Sequence, residues 1–242
     1  MFALALGAAG HALSKSWERP PFPEWKPEFV DKLLTDSPWA KSYTAAFELR
    51  SDPQRFTSTY SQIGIPGGGI PLPSRWPGGS RPVRGSQTGS DAGGGWDTRT
   101  EIYLTTRFSS ALPIRQALAL AECGRAGLDS DRANRILAAS ESEYVIEVGG
   151  FPATAVKGGA RLLQEEFAKS ARLVVRGRPQ AAVSSADVPE WGNHLVAALR
   201  FPRFRDLTAD EGKVKLFATA GPIRIDQSFQ LDEMVYHGRL EL

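Results

Sequence analysis

The 242-residue sequence contains a single cysteine, Cys123, and only three histidines. One cysteine cannot form an intramolecular disulfide, and a chain of this length can bury a substantial core without one. Cys123 lies in a predicted helix, far in sequence from every histidine, which favours a small apolar role over a catalytic thiol. Three scattered histidines without an H-E-x-x-H motif make a poor zinc site, so we expect no metal.

Other features that the sequence lacks argue against further classes of protein. No apolar run approaches the roughly 20 residues of a transmembrane helix, and a net charge of +2 is too small to argue for nucleic acid. The sequence has no P-loop and no G-x-S-x-G elbow. The stretch "GIPGGG" lacks the strand, glycine spacing and helix of a dinucleotide site, so we expect no cofactor.

The N-terminal residues Phe2 to Ala9 are apolar and small, and Gly10 and Ala12 follow at positions where a signal peptidase requires small side chains. The pattern is that of a secretory signal without its basic start. We therefore interpret residues 1–26 as a truncated signal remnant with a Pro-rich lead-in, and we expect an exported protein, periplasmic or extracellular. Residues 27–242 are predicted to form a single domain.

Hydrophobic periodicity predicts the elements of this domain. Four segments have helical patterns, beginning at Pro27, Leu112, Asp129 and Gly158, and Asp129 or Ser130 is the expected N-cap of the third. Several others alternate with period two, most cleanly "PIRIDQSFQLD", and "YHGRLEL" is interpreted as one closing strand. The fold class is therefore α+β: a mainly antiparallel sheet with about four helices on one face or at its edges. The alternation is typical of a sheet with one solvated face.

Residues 64–96 form a Gly/Pro-rich insertion that holds eleven of the 24 glycines. Both flanks, "SYTAAFELR" and "TEIYLTTRFS", alternate like strands, which predicts a long flexible loop between two sheet neighbours. Arginines among tryptophans on such a backbone can stack on a partner. The predicted binding residues are Arg75, Trp76, Arg81, Arg84, Trp96 and Arg99.

Three further segments carry a resemblance: "LTDSPWAKSYT", "RFSSALPIRQAL" and "VKLFATAGPIRIDQSFQLDEMVYHGRLEL". The chain resembles, over residues 28–242, a family of exported bacterial proteins of unknown function. Its members share an SPWA box, a glycine-rich insertion, an SALP(I/V)R box and a C-terminal F-x-L-x-x-M-V-Y-x-G-x-L-E-L ending. The resemblance implies export and a single fold, and it implies no active-site residues.

The candidates for chemistry are few. Glu190 and His194 form a weak acid–base pair candidate, with a loop leading into a strand as the alternative. Ser109 and Ser110 could act as nucleophiles only beside a base, and they suit backbone capping better. Two arginine triplets are a candidate basic edge, whose alternative role is protection against strand pairing; they are Arg172, Arg176 and Arg178, and Arg200, Arg203 and Arg205.

Three functions follow as hypotheses. The first is an exported, non-enzymatic binding or assembly protein, with an unknown protein, a cell-envelope ligand or a second copy of the chain as partner. The second is a hydrolase or isomerase whose site is assembled from scattered residues. The third and weakest is a nucleic-acid-binding protein, which requires an affinity that falls steeply with salt.

Overall fold

The structure is a computed structural model that describes residues 17–48, 99–138, 142–152, 159–191, 194–221 and 223–242. In these residues the chain is α+β, with mainly antiparallel sheets, as the sequence predicts. The helices are α1 (Pro27–Thr35), α2 (Leu112–Cys123), α3 (Asp131–Leu137) and α4 (Gly159–Ser170). The strands are β1 (Asp36–Ser37), β2 (Ala40–Glu48), β3 (Arg99–Phe108), β4 (Glu143–Pro152), β5 (Arg172–Val175), β6 (Ala181–Ala182), β7 (Ser185–Asp187), β8 (Glu190–Trp191), β9 (His194–Pro202), β10 (Lys213–Ala220), β11 (Ile223–Gln230), β12 (Val235–Tyr236) and β13 (Arg239–Leu240).

The helices begin and end where local chemistry favours it. Pro27 opens α1, where its missing N–H costs nothing. Ser130 caps α3 by accepting the N–H of Ala133, one of the two caps expected from the sequence. Gly124 ends α2 with φ of 65°, a conformation that glycine adopts without strain. Helix α1 buries Val30, Leu33 and Leu34, and α4 buries Leu163 and Phe167, which belong to the apolar stripes that the sequence predicts.

The first sheet has the strand order β1-β2-β3-β4-β9-β7, and β8 also pairs with β9. Strands β2 and β3 pair directly over nine positions, from Ala40 opposite Arg107 to Glu48 opposite Arg99. The two flanks of the Gly/Pro-rich segment are therefore sheet neighbours, which confirms that prediction. The segment itself lies outside the described residues.

The second sheet has the order β11-β10-β5-β6 and packs against the first. The ring of Phe229 on β11 meets the ring of Phe108 on β3 edge-on, with centroids 4.9 Å apart. Helix α4 contacts strands of both sheets, and its Phe167 packs on Phe151 of β4. Apolar burial between these layers forms the core.

Two details of the sequence interpretation were wrong. The closing segment is a short hairpin of β12 and β13, because His237 and Gly238 both take positive φ and turn the chain back. The alternation with one solvated face holds for β11, but it fails at the end of β3. There Arg107 is fully buried and donates from Nε and one terminal nitrogen to Oε2 of Glu147 on β4, at 2.9 and 2.6 Å.

Residues 17–26, part of the predicted lead-in, pack on the domain. Trp25 is buried, and its indole N–H donates to the carbonyl of Pro20. Arg125, after α2, donates to the carbonyls of Glu24 and Trp25. Glu18 accepts the N–H of His237, so this strap contacts both the helices and the C-terminal hairpin.

Candidate functional site

The SPWA box, Ser37 to Ala40, forms the tight connection from β1 to β2. The Ser37 hydroxyl donates to the carbonyl of Leu33 at 2.8 Å and accepts the N–H groups of Trp39 and Ala40. One small side chain thus satisfies three backbone groups at the end of α1, a role for which serine is suited. The turn directs Trp39 into the core, where the side chain is fully buried.

Trp39 connects this turn to the C-terminal segment. Its indole N–H donates to the carbonyl of Glu241 at 2.8 Å. Its ring packs edge-on against Tyr236, with centroids 6.2 Å apart, and against Trp17 at 6.4 Å. A buried indole N–H needs such a partner, so the hydrogen bond and the aromatic contacts fix the C-terminal segment here.

The SALPIR box, Ser110 to Arg115, begins α2 at the same place. The Ser110 hydroxyl accepts the N–H of Val145, so it satisfies a backbone group as the sequence predicts. The Ser109 hydroxyl does not, because its Oγ is buried without a hydrogen-bond partner among the described residues. The N–H of Leu112 donates to Oε2 of Glu241, and Gln116 accepts the hydroxyl of Tyr236. The SPWA box, the SALPIR box and the C-terminal ending, which are far apart in sequence, therefore meet in one junction around Trp39 and Glu241.

A surface cleft of about 300 Å³ lies beside this junction. Its lining comes from the strap, α1, the SPWA turn with the flanking strands β1 and β2, and the turn before β12. The lining residues are Trp17, Lys32, Asp36, Ser37, Pro38, Lys41 and Glu233. The ammonium of Lys32 lies 5.5 Å from the centre of the Trp17 ring, within cation–π range. The volume suits a small molecule.

The cleft presents two ammonium groups, from Lys32 and Lys41, and two carboxylates, from Asp36 and Glu233. Among the described residues, none of the four has an ion-pair partner within 4.0 Å. Asp36 and Lys41 are cross-strand partners, so their backbone positions are fixed opposite each other. The arrangement can bind anionic and cationic groups at the same time, and Trp17 adds an apolar surface.

The predicted binding residues of the Gly/Pro-rich segment cannot be placed. Arg75, Trp76, Arg81, Arg84 and Trp96 lie outside the described residues. Arg99 is the first residue of β3, and its backbone pairs with Glu48. The structure describes only the backbone of this residue. The binding role of these six residues stays a prediction.

The register of β8 and β9 bears on the acid–base pair of Glu190 and His194. Position 190 lies opposite Leu195, and position 191 lies opposite His194. Directly opposed positions share a face of the sheet and adjacent ones do not, so 190 and 194 belong to opposite faces. This backbone register gives an acid–base pair no support. Nδ1 of His194 is buried without a hydrogen-bond partner among the described residues.

The two arginine triplets do not line one sheet edge, because β5 and β9 are interior strands of different sheets. The segments that follow these strands do meet. Arg178 donates to the carbonyls of Arg205 and Asp206 and pairs with Glu211. The guanidinium of Arg203 lies 4.8 Å from the ring centre of Tyr144. These two arginines are thus held by intramolecular contacts.

The sequence interpretation missed the cleft residues and the buried pair of Arg107 and Glu147. The cleft is formed by side chains from the strap, α1, the SPWA turn and the C-terminal segment, whose proximity no spacing reveals. The boxes themselves were the available signal, since two of them border the cleft. For Arg107 the alternation of β3 predicts a solvent-facing side chain, which is wrong, because the pairing with Glu147 on β4 buries it.

The fold and the cleft define an α+β protein with two packed antiparallel sheets and a cleft of mixed charge. Within the described ranges, no group of three or more His, Cys, Asp or Glu side chains could hold a metal ion. No helix in that part of the chain is long and apolar enough to cross a membrane. Comparison with protein-family models, curated proteins and solved structures finds no match for this chain.

Proposed function

We propose that the chain is a non-enzymatic binding or assembly protein and that the cleft beside Trp39 holds its ligand. The observation that carries the proposal is the set of four charged side chains, of both signs, that line the cleft without ion-pair partners among the described residues. Charges of this kind stay hydrated until a complementary ligand replaces the water. The junction below keeps the backbone of the cleft in place, which reduces the entropic cost of binding.

The ligand that fits this chemistry is a small molecule with an anionic and a cationic group and a short apolar body. Lys32 and Lys41 bind its anionic group, Asp36 and Glu233 bind its cationic group, and Trp17 packs on the body. The end of an extended peptide from a partner protein or a cell-envelope component offers the same groups. Small free zwitterions are therefore suitable probes for the site.

The test is a thermal shift and calorimetry experiment with free amino acids and glycine betaine as probes. At least one probe is expected to raise the thermal midpoint, because binding to the folded state alone stabilises it. The double variant Lys41→Ala with Glu233→Ala should remove this shift. The double variant Lys213→Ala with Glu165→Ala, two charged side chains outside the cleft, is the matched control and should keep it. No shift with any probe, or a shift that survives in the cleft variant, contradicts the proposal.

The enzymatic alternative, a hydrolase or isomerase, is tested separately. Robust turnover in a broad hydrolase screen, lost on changing one polar residue such as His194, would replace the binding proposal with it. The nucleic-acid alternative requires oligonucleotide affinity that falls steeply between low and high salt, because phosphate binding releases counterions. A flat salt response excludes that alternative.

Export is part of the proposal and rests on the apolar, small-residue pattern of the first residues together with the family resemblance. A reporter that is active only outside the cytoplasm, fused after residue 26, tests it in bacterial cells. Export of the fusion is expected. A fusion that stays inside, while the same reporter behind an established secretory signal is exported, contradicts this part of the proposal.

A further inference from the structure

The outer edge of the second sheet presents a long regular strand. β11 pairs with β10 at eight consecutive positions without a bulge, and in the described part of the chain it pairs with no other strand. Proteins usually protect such an edge with a bulge, a proline or charged side chains, because its free N–H and C=O groups can pair with another chain. Residues 223–230 of β11 include no bulge, proline or lysine, and their two charged side chains, Arg224 and Asp226, have opposite signs.

The side chains on the solvent face of β11 carry complementary charges. Arg224, Asp226, Ser228 and Gln230 are exposed, and Ile223, Ile225 and Phe229 are buried. Ala220 opposes Ile223 across a two-residue connection, which makes this the hydrogen-bonded closing pair of a hairpin. Hydrogen-bonded pairs then alternate, so the backbone groups of Arg224 and Asp226 point to the free edge.

We propose that two copies of the chain associate through β11, antiparallel, about a two-fold axis at Ile225. In this register Arg224 of one protomer lies opposite Asp226 of its partner, and Asp226 lies opposite the partner's Arg224. Both are hydrogen-bonded positions, so the two ion pairs lie beside the backbone hydrogen bonds that join the two protomers. A two-fold contact repeats each interaction, which is why one arginine and one aspartate suffice.

Neighbouring registers are less favourable. An axis at Asp226 places that carboxylate opposite its own copy, and like charges directly opposite destabilise a sheet. An axis at Gln227 extends the contact toward Phe229, whose ring already packs on Phe108 of the first sheet, and it forms no ion pair. Among these three registers, the charge pattern therefore selects the one centred on Ile225.

The pairing joins the two four-stranded sheets into one continuous sheet, with contact over residues 223–227. So short a contact buries less than the roughly 1,000 Å² that marks a stable interface. The dimer is therefore weak and depends on concentration. This association is independent of the cleft and of any ligand bound there.

The test is sedimentation velocity over a wide range of protein concentrations. Wild type is expected to shift from monomer to dimer as concentration rises, and the shift should weaken at high salt because the ion pairs are solvent-exposed. Arg224→Asp and Asp226→Arg should each weaken dimerisation about 10- to 100-fold, since each replaces two ion pairs with two like-charge pairs. The double swap Arg224→Asp with Asp226→Arg should restore it.

Mixing the two single variants is the sharper experiment. A heterodimer of Arg224→Asp and Asp226→Arg chains has two ion pairs again, so the mixture should dimerise where neither variant does alone. Lys213→Glu, a charge reversal on the neighbouring strand β10, is the matched control and should dimerise as wild type does. A wild type that stays monomeric at every concentration overturns the proposal. So does a dimer that both single variants form as well as wild type, since the copies then meet elsewhere.

Discussion

Gly150 marks the one place in β4 where the ladder with β9 shifts register, between Gly149 and Phe151. Its φ is 104°, and a Cβ added to it would lie 2.2 Å from the carbonyl oxygen of Tyr103 on the adjacent strand. Only glycine allows the backbone of β4 to approach β3 this closely. The bulge restores the alternation so that Phe151 is buried against α4.

We therefore expect Gly150→Ala to lower the free energy of unfolding by about 3 kcal/mol or more, through backbone strain and a steric clash. Gly238→Ala is the matched control, because Gly238 also has positive φ, 73°, but nothing lies within 4 Å of its added Cβ. That variant should lose only about 1 kcal/mol. Urea unfolding followed by circular dichroism measures both. Equal losses would show that the contact with Tyr103 contributes nothing.

Glu211 is a residue whose ionisation is coupled to folding. The guanidinium of Arg178 and the N–H of Thr208 donate to its carboxylate and lower its pKa from the ordinary 4.5 to about 2. A depressed folded-state pKa means that the ionised form stabilises the fold. This contribution is complete above pH 4.5 and is lost as the pH falls toward 2.

The thermal midpoint of Glu211→Gln should therefore be lower than that of wild type at neutral pH, and the difference should shrink as the pH falls from 4.5 to 2. The measurement is a series of thermal melts across this range. Glu165→Gln, which removes an exposed helical ion pair with Arg161, is the control and should follow wild type at each pH. A constant difference between Glu211→Gln and wild type would contradict the coupling.

At the scale of elements, the beginning of α2 depends on a residue from the far end of the sequence. Ala111 at its N-cap offers no side-chain oxygen, and the first turn has no acidic residue. Instead Oε2 of Glu241 accepts the N–H of Leu112 at 3.2 Å. A carboxylate at this end also interacts favourably with the helix dipole.

Glu241→Ala should accordingly destabilise the protein by about 1 kcal/mol, the usual cost of losing an N-cap acceptor. Glu241→Gln, which keeps an oxygen at the same place, should lose less. Glu233→Ala, an exposed acidic residue of the same segment, should be neutral within about 0.5 kcal/mol. Chemical denaturation of the three variants measures the differences. If Glu233→Ala lowers the free energy of unfolding as much as Glu241→Ala does, the capping of α2 by Glu241 does not explain the loss.

The elements that the sequence predicts well are those whose pattern is local. The buried residues Ile223, Ile225 and Phe229 of β11 all lie on one face of the strand, and Pro27 and Gly124 mark the ends of helices. The short strands β6, β7 and β8 were missed, because two or three residues are too few to show a period. They are strands only because β5 and β9 provide paired edges.

At the scale of the whole molecule, the sequence predicts the α+β class but not the division into two sheets. Strand order depends on which edges meet, and the contact of Phe108 with Phe229 joins residues that are far apart in the chain. The candidate cleft has the same origin: Trp17, Lys32 and Glu233 converge only after the strap, α1 and the C-terminal segment have packed. The SPWA box indicated where the cleft lies, but only the packing of the chain brings its charged side chains together.

The long segment between β2 and β3 bears on the stability of the whole molecule. Its two ends are cross-strand partners, Glu48 and Arg99, so the chain leaves and re-enters the sheet at one place. The strands pair over nine positions and carry buried residues, such as Leu104, outside the segment. Loop-closure cost changes by only about 0.6 kcal/mol per doubling of length. Stability should therefore depend little on how long the connection is.

Replacing residues 67–94 with a short Gly-Ser linker should leave the thermal midpoint within a few degrees of wild type, because the loop changes by less than about one doubling in length. Leu104→Ala is the comparison that shows the assay responds to the core. Leu104 is fully buried on β3, and its truncation should cost about 2–5 kcal/mol. The measurement is the thermal midpoint and the cooperativity of unfolding of the shortened chain, wild type and Leu104→Ala. A midpoint more than about 10 °C below wild type, or a loss of cooperativity, would mean that the removed residues belong to the core, since ~1 kcal/mol moves a domain of this size by only a few degrees.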